Sequence, residues 1–198
     1  IMADGILKVG TITTSSGSGT ITIGQSGETV DMANGSITLN SDMKATPAFK
    51  ARLSADQTIA NVTDTTVACN TEDLDTAGCY NNTGSTVTLN GISTPAYSFA
   101  PNVAGKYFIY GGARFDNAAG TGTLAYVLLK KNSTNSFIGI RDFVPYGGFF
   151  AGGIFDMDGS SDTATLTVYQ NTGSSKIIIG GSTGDALANF GAYRIIGA

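Results

Sequence analysis

The stretch Phe99-Ala-Pro-Asn-Val-Ala-Gly105-Lys-Tyr107-Phe108-Ile109-Tyr110 decides the fold. Pro101 and Asn102 are turn residues, and Gly105 can take backbone angles that a side chain forbids. The run from Tyr107 to Tyr110 is apolar at every position. A β-strand shows successive side chains to opposite faces, so such a strand must be covered on both. In a small all-β domain a partner sheet covers one face. The other needs a neighbouring subunit.

Related segments lie in order on either side. Upstream are Pro47-Ala48-Phe49-Lys50-Ala51 and Asp75-Thr-Ala-Gly78-Cys79-Tyr80-Asn81. Downstream are Asp162-Thr-Ala-Thr-Leu166-Thr-Val168-Tyr169-Gln170 and Asn189-Phe190-Gly191-Ala192-Tyr193-Arg194-Ile195. Together they resemble the trimeric jelly roll of the tumour necrosis factor superfamily, above all the globular head of complement component one-q and its microbial and viral cousins. In that family a Pro-Ala-Phe strand opens the domain, a Gly-x-Tyr strand sits centrally and a Phe-x-Gly-Tyr strand closes it. The match spans residues 46–198. Ile109 stands where an aromatic is usual, and Val87 to Thr94 reads as an insertion.

The resemblance implies an all-β jelly-roll sandwich that forms a homotrimer, with aromatic rings stacked about a threefold axis. Tyr107, Tyr110, Phe149, Phe150, Tyr169, Phe190 and Tyr193 are the residues expected at that interface. One sandwich cannot hide all of these rings. An obligate interface of this kind buries upward of ~2,000 Å², through a heterologous contact that closes into a ring.

Composition narrows the class. The chain has 198 residues, of which 13% are charged and 27 are Gly, with neither Trp nor His. Low charge with abundant Gly, Thr and Ser suits a β-rich extracellular or virion protein rather than a helical cytosolic enzyme. The net charge is -4. No basic surface offers itself to phosphates, so no nucleic-acid partner is expected. Lys130-Lys131 reads as a solvated hairpin end. No apolar run approaches the ~20 residues of a membrane helix.

The chain divides at about residue 45. Residues 1–45 repeat a Gly-led, β-branched pattern: Gly10-Thr-Ile-Thr13, Gly19-Thr-Ile-Thr22 and Gly35-Ser-Ile-Thr38. Each unit has a one-sided apolar face too small to fold alone, but three chains wound together could bury it. The segment reads as a β-rich stalk that docks to a capsid or tail protein; the alternative is a flexible linker. Met2 reads as the initiator, and Ile1 to Gly5 has no basic start before an apolar core. This predicts a chain made in a cytoplasm. Residues 46–198 form the head, with strands expected near 47–53, 63–69, 85–90, 95–99, 105–115, 122–130, 136–143, 147–155, 163–170, 175–180 and 189–196.

The side chains that could carry chemistry are few. Without His, Ser–His and Cys–His nucleophile systems have no base. Glu72, Asp73 and Asp75 form one acidic cluster, but exposed turn carboxylates have no evident means of raising a pKa for glycoside hydrolysis. Asp156, Asp158 and Asp162, followed or separated by Gly159, start like a calcium loop but lack its closing bidentate Glu; the alternative is a polar turn. Calcium is the one cofactor the residues raise. Cys69 and Cys79 could close a short disulfide, while cytoplasmic assembly favours free thiols. Tyr97, Tyr126, Phe137 and Tyr146 lie near expected loops or strand ends, where exposed rings stack on sugars and anchor interfaces.

The reading is a bacteriophage virion protein: a short trimeric fibre, spike or decoration protein on the virion surface. Its head is expected to adhere to a host-surface glycan or protein. The competing readings are a secreted or cell-surface lectin-like ligand of the same superfamily and, third, a polysaccharide depolymerase.

Overall fold

The computed structural model describes residues 45–116, 124–141, 146–181 and 187–196. The stalk expected over residues 1–45 lies outside them except for its last residue. In chain order the strands are β1 (Ala48–Arg52), β2 (Gln57–Ile59), β3 (Thr65–Thr66), β4 (Thr71–Asp75), β5 (Val87–Leu89), β6 (Ile92–Thr94), β7 (Ser98–Phe99), β8 (Gly105–Arg114), β9 (Ala125–Lys131), β10 (Thr134–Arg141), β11 (Gly148–Met157), β12 (Ala164–Gln170), β13 (Lys176–Ile178) and β14 (Asn189–Arg194).

Two five-membered assemblies make the jelly roll. The first sheet runs β11-β8-β14-β1-β4, and the second runs β10-β9-β12-β3 with β7 also on β12. β13 pairs with β2 and β5 with β6 in two small ribbons. The decisive stretch becomes the β7–turn–β8 unit. Gly105 opens β8 at φ +150°, and a Cβ there would lie 2.9 Å from Nε of Arg194. The Tyr107 hydroxyl donates to the Val103 carbonyl at 2.7 Å and ties the turn down.

Alternation then sorts the rings. Tyr107, Ile109 and Ala113 of β8, and Phe115 just after it, point inward and are buried. They meet Val127 and Leu129 of β9 and Leu166 and Val168 of β12 in one core cluster. Phe49 centres the aromatic end of that core. It stacks at 4.5 Å on Tyr80 and 4.7 Å on Phe99, and meets Phe190 edge-on at 5.0 Å.

Several expected strands shift. The strand expected over 63–69 shortens to β3, and that over 95–99 shortens to β7. β2 and β4 were not expected at all. β4 is Thr-Glu-Asp-Leu-Asp on the sheet edge, where charge guards an unpaired ladder. The insertion forms the β5–β6 hairpin. The buried Asn81 pins it, donating from Nδ2 to the carbonyls of Ser85, Thr94 and Pro95 and accepting from Thr83 N at 2.9 Å. Cys69 and Cys79 are buried free thiols. Burial pushes the Cys69 thiol up to about 12, and burial together with the Asp75 carboxylate pushes Cys79 higher.

Candidate functional site

The outer face of the first sheet is the most unusual surface among the described residues. On β8 the outward positions are Phe108 and Tyr110. On β11 they are Phe150 and Ile154, and on β14 Tyr193. Register aligns them: Ile154 lies opposite Phe108, which lies opposite Tyr193 on the other side. The rings run in a line, with centroids 5.7 Å apart from Tyr193 to Phe108, 6.0 Å from Phe108 to Tyr110 and 6.4 Å from Tyr110 to Phe150. Phe150 is 60% exposed, Ile154 57% and Tyr193 45%. Gly191 leaves room for the Tyr110 ring: a Cβ there would sit 2.5 Å from the Tyr110 hydroxyl oxygen. Burial, with Tyr193 adding to it, raises the Tyr110 phenol above its ordinary value. At one end of the face Lys106 and Asp156 pair at 2.6 Å.

The interface residues expected from the sequence therefore divide. Tyr110, Phe150 and Tyr193 lie on this face. Tyr107, Phe149 and Phe190 are corrected: they are 0%, 7% and 1% exposed and belong to the subunit's own core. Their neighbours in sequence face outward, and alternation leaves no choice once the sheets have stacked. Tyr169 lies apart from this face. It lies on the second sheet, stacked on Tyr126 at 4.7 Å with 7° between the ring planes. Phe108 and Ile154 join the face without having been singled out; the period-two pattern of β8 and β11 was the available signal.

The three aspartates proposed for calcium do not converge. Asp156 pairs with Lys106. Asp158 accepts from the backbone N–H groups of Ser160, Ser161 and Asp162 and from the Ser161 hydroxyl. These bonds, the hydroxyl's first, hold its carboxyl far below the usual range. Asp162 accepts from Asn132 at 2.6 Å and from Asp158 N at 2.9 Å, and pairs with Lys131 at 2.7 Å. Burial works against its ionisation, but these partners still leave its carboxyl lowered. The ammonium of Lys131 already sits against the Asp162 carboxylate and the Asp156 carbonyl. Among the described residues no three acidic or thiol groups are placed to hold a metal ion. The other acidic cluster is also spoken for: Asp73 pairs with Arg52 and Lys50, and Asp75 accepts from the N–H groups of Ala77, Cys79 and Tyr80.

A groove of about 280 Å³ opens on the second sheet. It lies where β12 passes from pairing with β7, at Thr165 opposite Ser98, to pairing with β3, at Thr167 opposite Thr66. Hydroxyls of these residues line it, with Asp64 and Lys130 paired at 2.8 Å. The Tyr126 hydroxyl donates to Asp64 at 3.3 Å. Burial, then the Asp64 charge, pushes that phenol up to about 12. Of the rings expected to bind ligand, Tyr126 flanks this groove and Tyr97 stands between two of its lining residues, Ala96 and Ser98. Tyr146 does not join them: it is 52% exposed, with the Arg114 guanidinium 5.1 Å from its ring centre. Phe137 sits on β10 opposite Leu129. The four do not make one site.

No protein-family model matches the sequence, and comparison with curated proteins finds no match. Solved structures do match in shape. Murine APRIL is 14% identical, with a TM-score of 0.51 over 75% of this chain and 98% of that one. The globular domain of zebrafish complement 1qA is 15% identical, with a TM-score of 0.47 over 75% and 97%. Vertex protein P5 of PRD1 is 18% identical, with a TM-score of 0.48 over 77% and 99%. The chain folds as the jelly roll that the sequence resemblance to the tumour necrosis factor and complement one-q heads implies.

Proposed function

We propose that the protein is a homotrimeric virion-surface protein, a short fibre, spike or decoration protein. Its jelly-roll head adheres to a host-surface glycan or protein, and residues 1–45 dock to a capsid or tail protein. One observation carries this reading: the rings Tyr193–Phe108–Tyr110–Phe150 form a contiguous line, with Phe150, Tyr193 and the adjoining Ile154 exposed in a single copy. A contiguous apolar patch of this kind marks an interaction surface. Its occupant is a second copy of the chain, because β8 and β14, with β11 beside them, are strands that the family resemblance sets around a threefold axis. The same geometry repeated three times closes a ring and leaves no patch uncovered. Low charge and the Gly-, Thr- and Ser-rich repeats of residues 1–45 support a stalked particle protein over a soluble ligand.

Two measurements test the reading. Sedimentation equilibrium from nanomolar to micromolar concentration should return three times the chain mass, and a compact single copy throughout would end it. Immunogold labelling of intact particles should place the chain on their surface. Recovery only in the particle-free medium would favour the secreted-ligand alternative.

A further inference from the structure

We infer that the groove between β7 and β3 is a binding site for a neutral saccharide. This inference rests on the adhesion reading above and gives it a place and a ligand class. The groove faces outward from the second sheet, on the side of the sandwich opposite the aromatic face.

The chemistry is that of a polyol site. Its volume, about 280 Å³, is close to the ~300 Å³ lower end of small-molecule sites. Of its hydroxyl-bearing lining residues, Thr66, Ser133 and Thr165 are at least partly exposed. Each can donate and accept, as a sugar hydroxyl also does. The only charges lining it are opposite and paired, Asp64 with Lys130, and their side chains are 33% and 19% exposed. An anion would meet Asp64 and a cation would meet Lys130, so the pair disfavours both. A vicinal diol satisfies both members: the carboxylate accepts from its hydroxyls and the ammonium donates to one of their oxygens. Beside Asp64 the rings of Tyr126 and Tyr169 stack on one another, and the Tyr126 hydroxyl donates to that carboxylate.

The walls are held before any ligand arrives. β12 is paired along its whole length to β9, and Ser98 Oγ lies 3.3 Å from Thr165 Oγ1 across the β7 junction. A site whose hydroxyls are fixed by two ladders loses little freedom on binding.

The full chain, fluorescently labelled, is applied to an array of neutral hexose and N-acetylhexosamine oligosaccharides, with sialylated and phosphorylated saccharides as a separate arm. A neutral oligosaccharide that binds is then titrated calorimetrically against the wild type, Asp64→Asn and Thr66→Tyr. Removing the carboxylate should weaken binding ~10–100-fold, as for loss of a charge-assisted hydrogen bond. The tyrosine should fill the groove and abolish binding. Thr66→Tyr serves as the independent check if Asp64→Asn melts early. Binding confined to the anionic arm, no binding to any saccharide, or full affinity in both variants would overturn the inference. If wild-type particles still adhere to host cells in those cases, adhesion stands on a different contact and only the groove falls.

Discussion

Truncating Phe150 to Ala should loosen the proposed trimer while leaving the head folded. The ring is 60% exposed in one copy and takes no part in the core cluster. An aromatic side chain carries on the order of 200 Å², so covering the open part removes about 120 Å² from water. At ~25 cal/mol per Å² that is ~3 kcal/mol per copy, of which truncation forfeits ~2–3. Three copies make ~6–9 kcal/mol per trimer, or ~10⁴–10⁶ in the three-body dissociation constant. The midpoint concentration follows the square root of that constant, so it should rise ~10²–10³-fold. Sedimentation equilibrium of wild type and Phe150→Ala across nanomolar to micromolar concentrations reads this directly, with far-ultraviolet circular dichroism to confirm the strands. An unchanged midpoint in a folded variant would refute the placement of this face at the threefold contact.

Other outcomes follow from the packing and the charges. In Gly111→Ala the new Cβ would lie 2.7 and 2.8 Å from the Leu166 methyls, well inside the ~3.5–4.0 Å of a carbon contact, and urea unfolding should show a loss of ~1–3 kcal/mol. Adding Leu166→Val should return part of that loss, and strictly additive losses would disprove the clash. Asp158 has a lowered folded pKa, so its contribution is present above the ordinary carboxylate value, ~3.9, and disappears as pH falls below it. The acid limb of the melting profile should accordingly be shallower in Asp158→Asn; an identical limb in the two proteins would contradict this. Calcium or a chelator should leave the melting temperature unchanged, since Lys131 and backbone N–H groups already occupy the carboxylates; a rise with calcium would restore the metal site. Cys69 and Cys79 should resist a thiol reagent in the native protein and titrate as two free thiols in denaturant, whereas titration of none after unfolding would reveal a disulfide.

Much of the fold was legible because β structure writes itself locally. Alternation, turn residues and the order of aromatic strands placed β1, β8, β9, β10, β11, β12 and β14 within a few residues. β4 escaped because an edge strand needs no apolar alternation; its charges serve Arg52 and Lys50 across the ladder. The acidic run from Asp156 to Asp162 was ambiguous for a related reason. A run of aspartates has the same appearance whether it awaits a cation or caps its own backbone, and only the positions of Lys131 and Asn132, some thirty residues upstream, separate the two.

The sequence by itself determined that the chain is all-β, that Tyr107 and Phe108 face opposite ways, and that more rings exist than one sandwich can easily hold. It did not determine which of each pair lies inside. That depended on which side of the sheet received β9 and β12, a long-range event that buried Tyr107, Phe149 and Phe190 and left Phe108, Phe150 and Tyr193 outward. Tyr169 and Tyr110 read alike as strand aromatics, yet they lie on different sheets. The groove is wholly tertiary: Asp64, Ser98, Lys130 and Thr165 are far apart along the chain, and only the registers of β3, β7 and β9 on β12 bring them together. Side-chain direction is a property of neighbouring residues, whereas burial and the meeting of distant groups belong to the stacking of sheets, which no local pattern encodes.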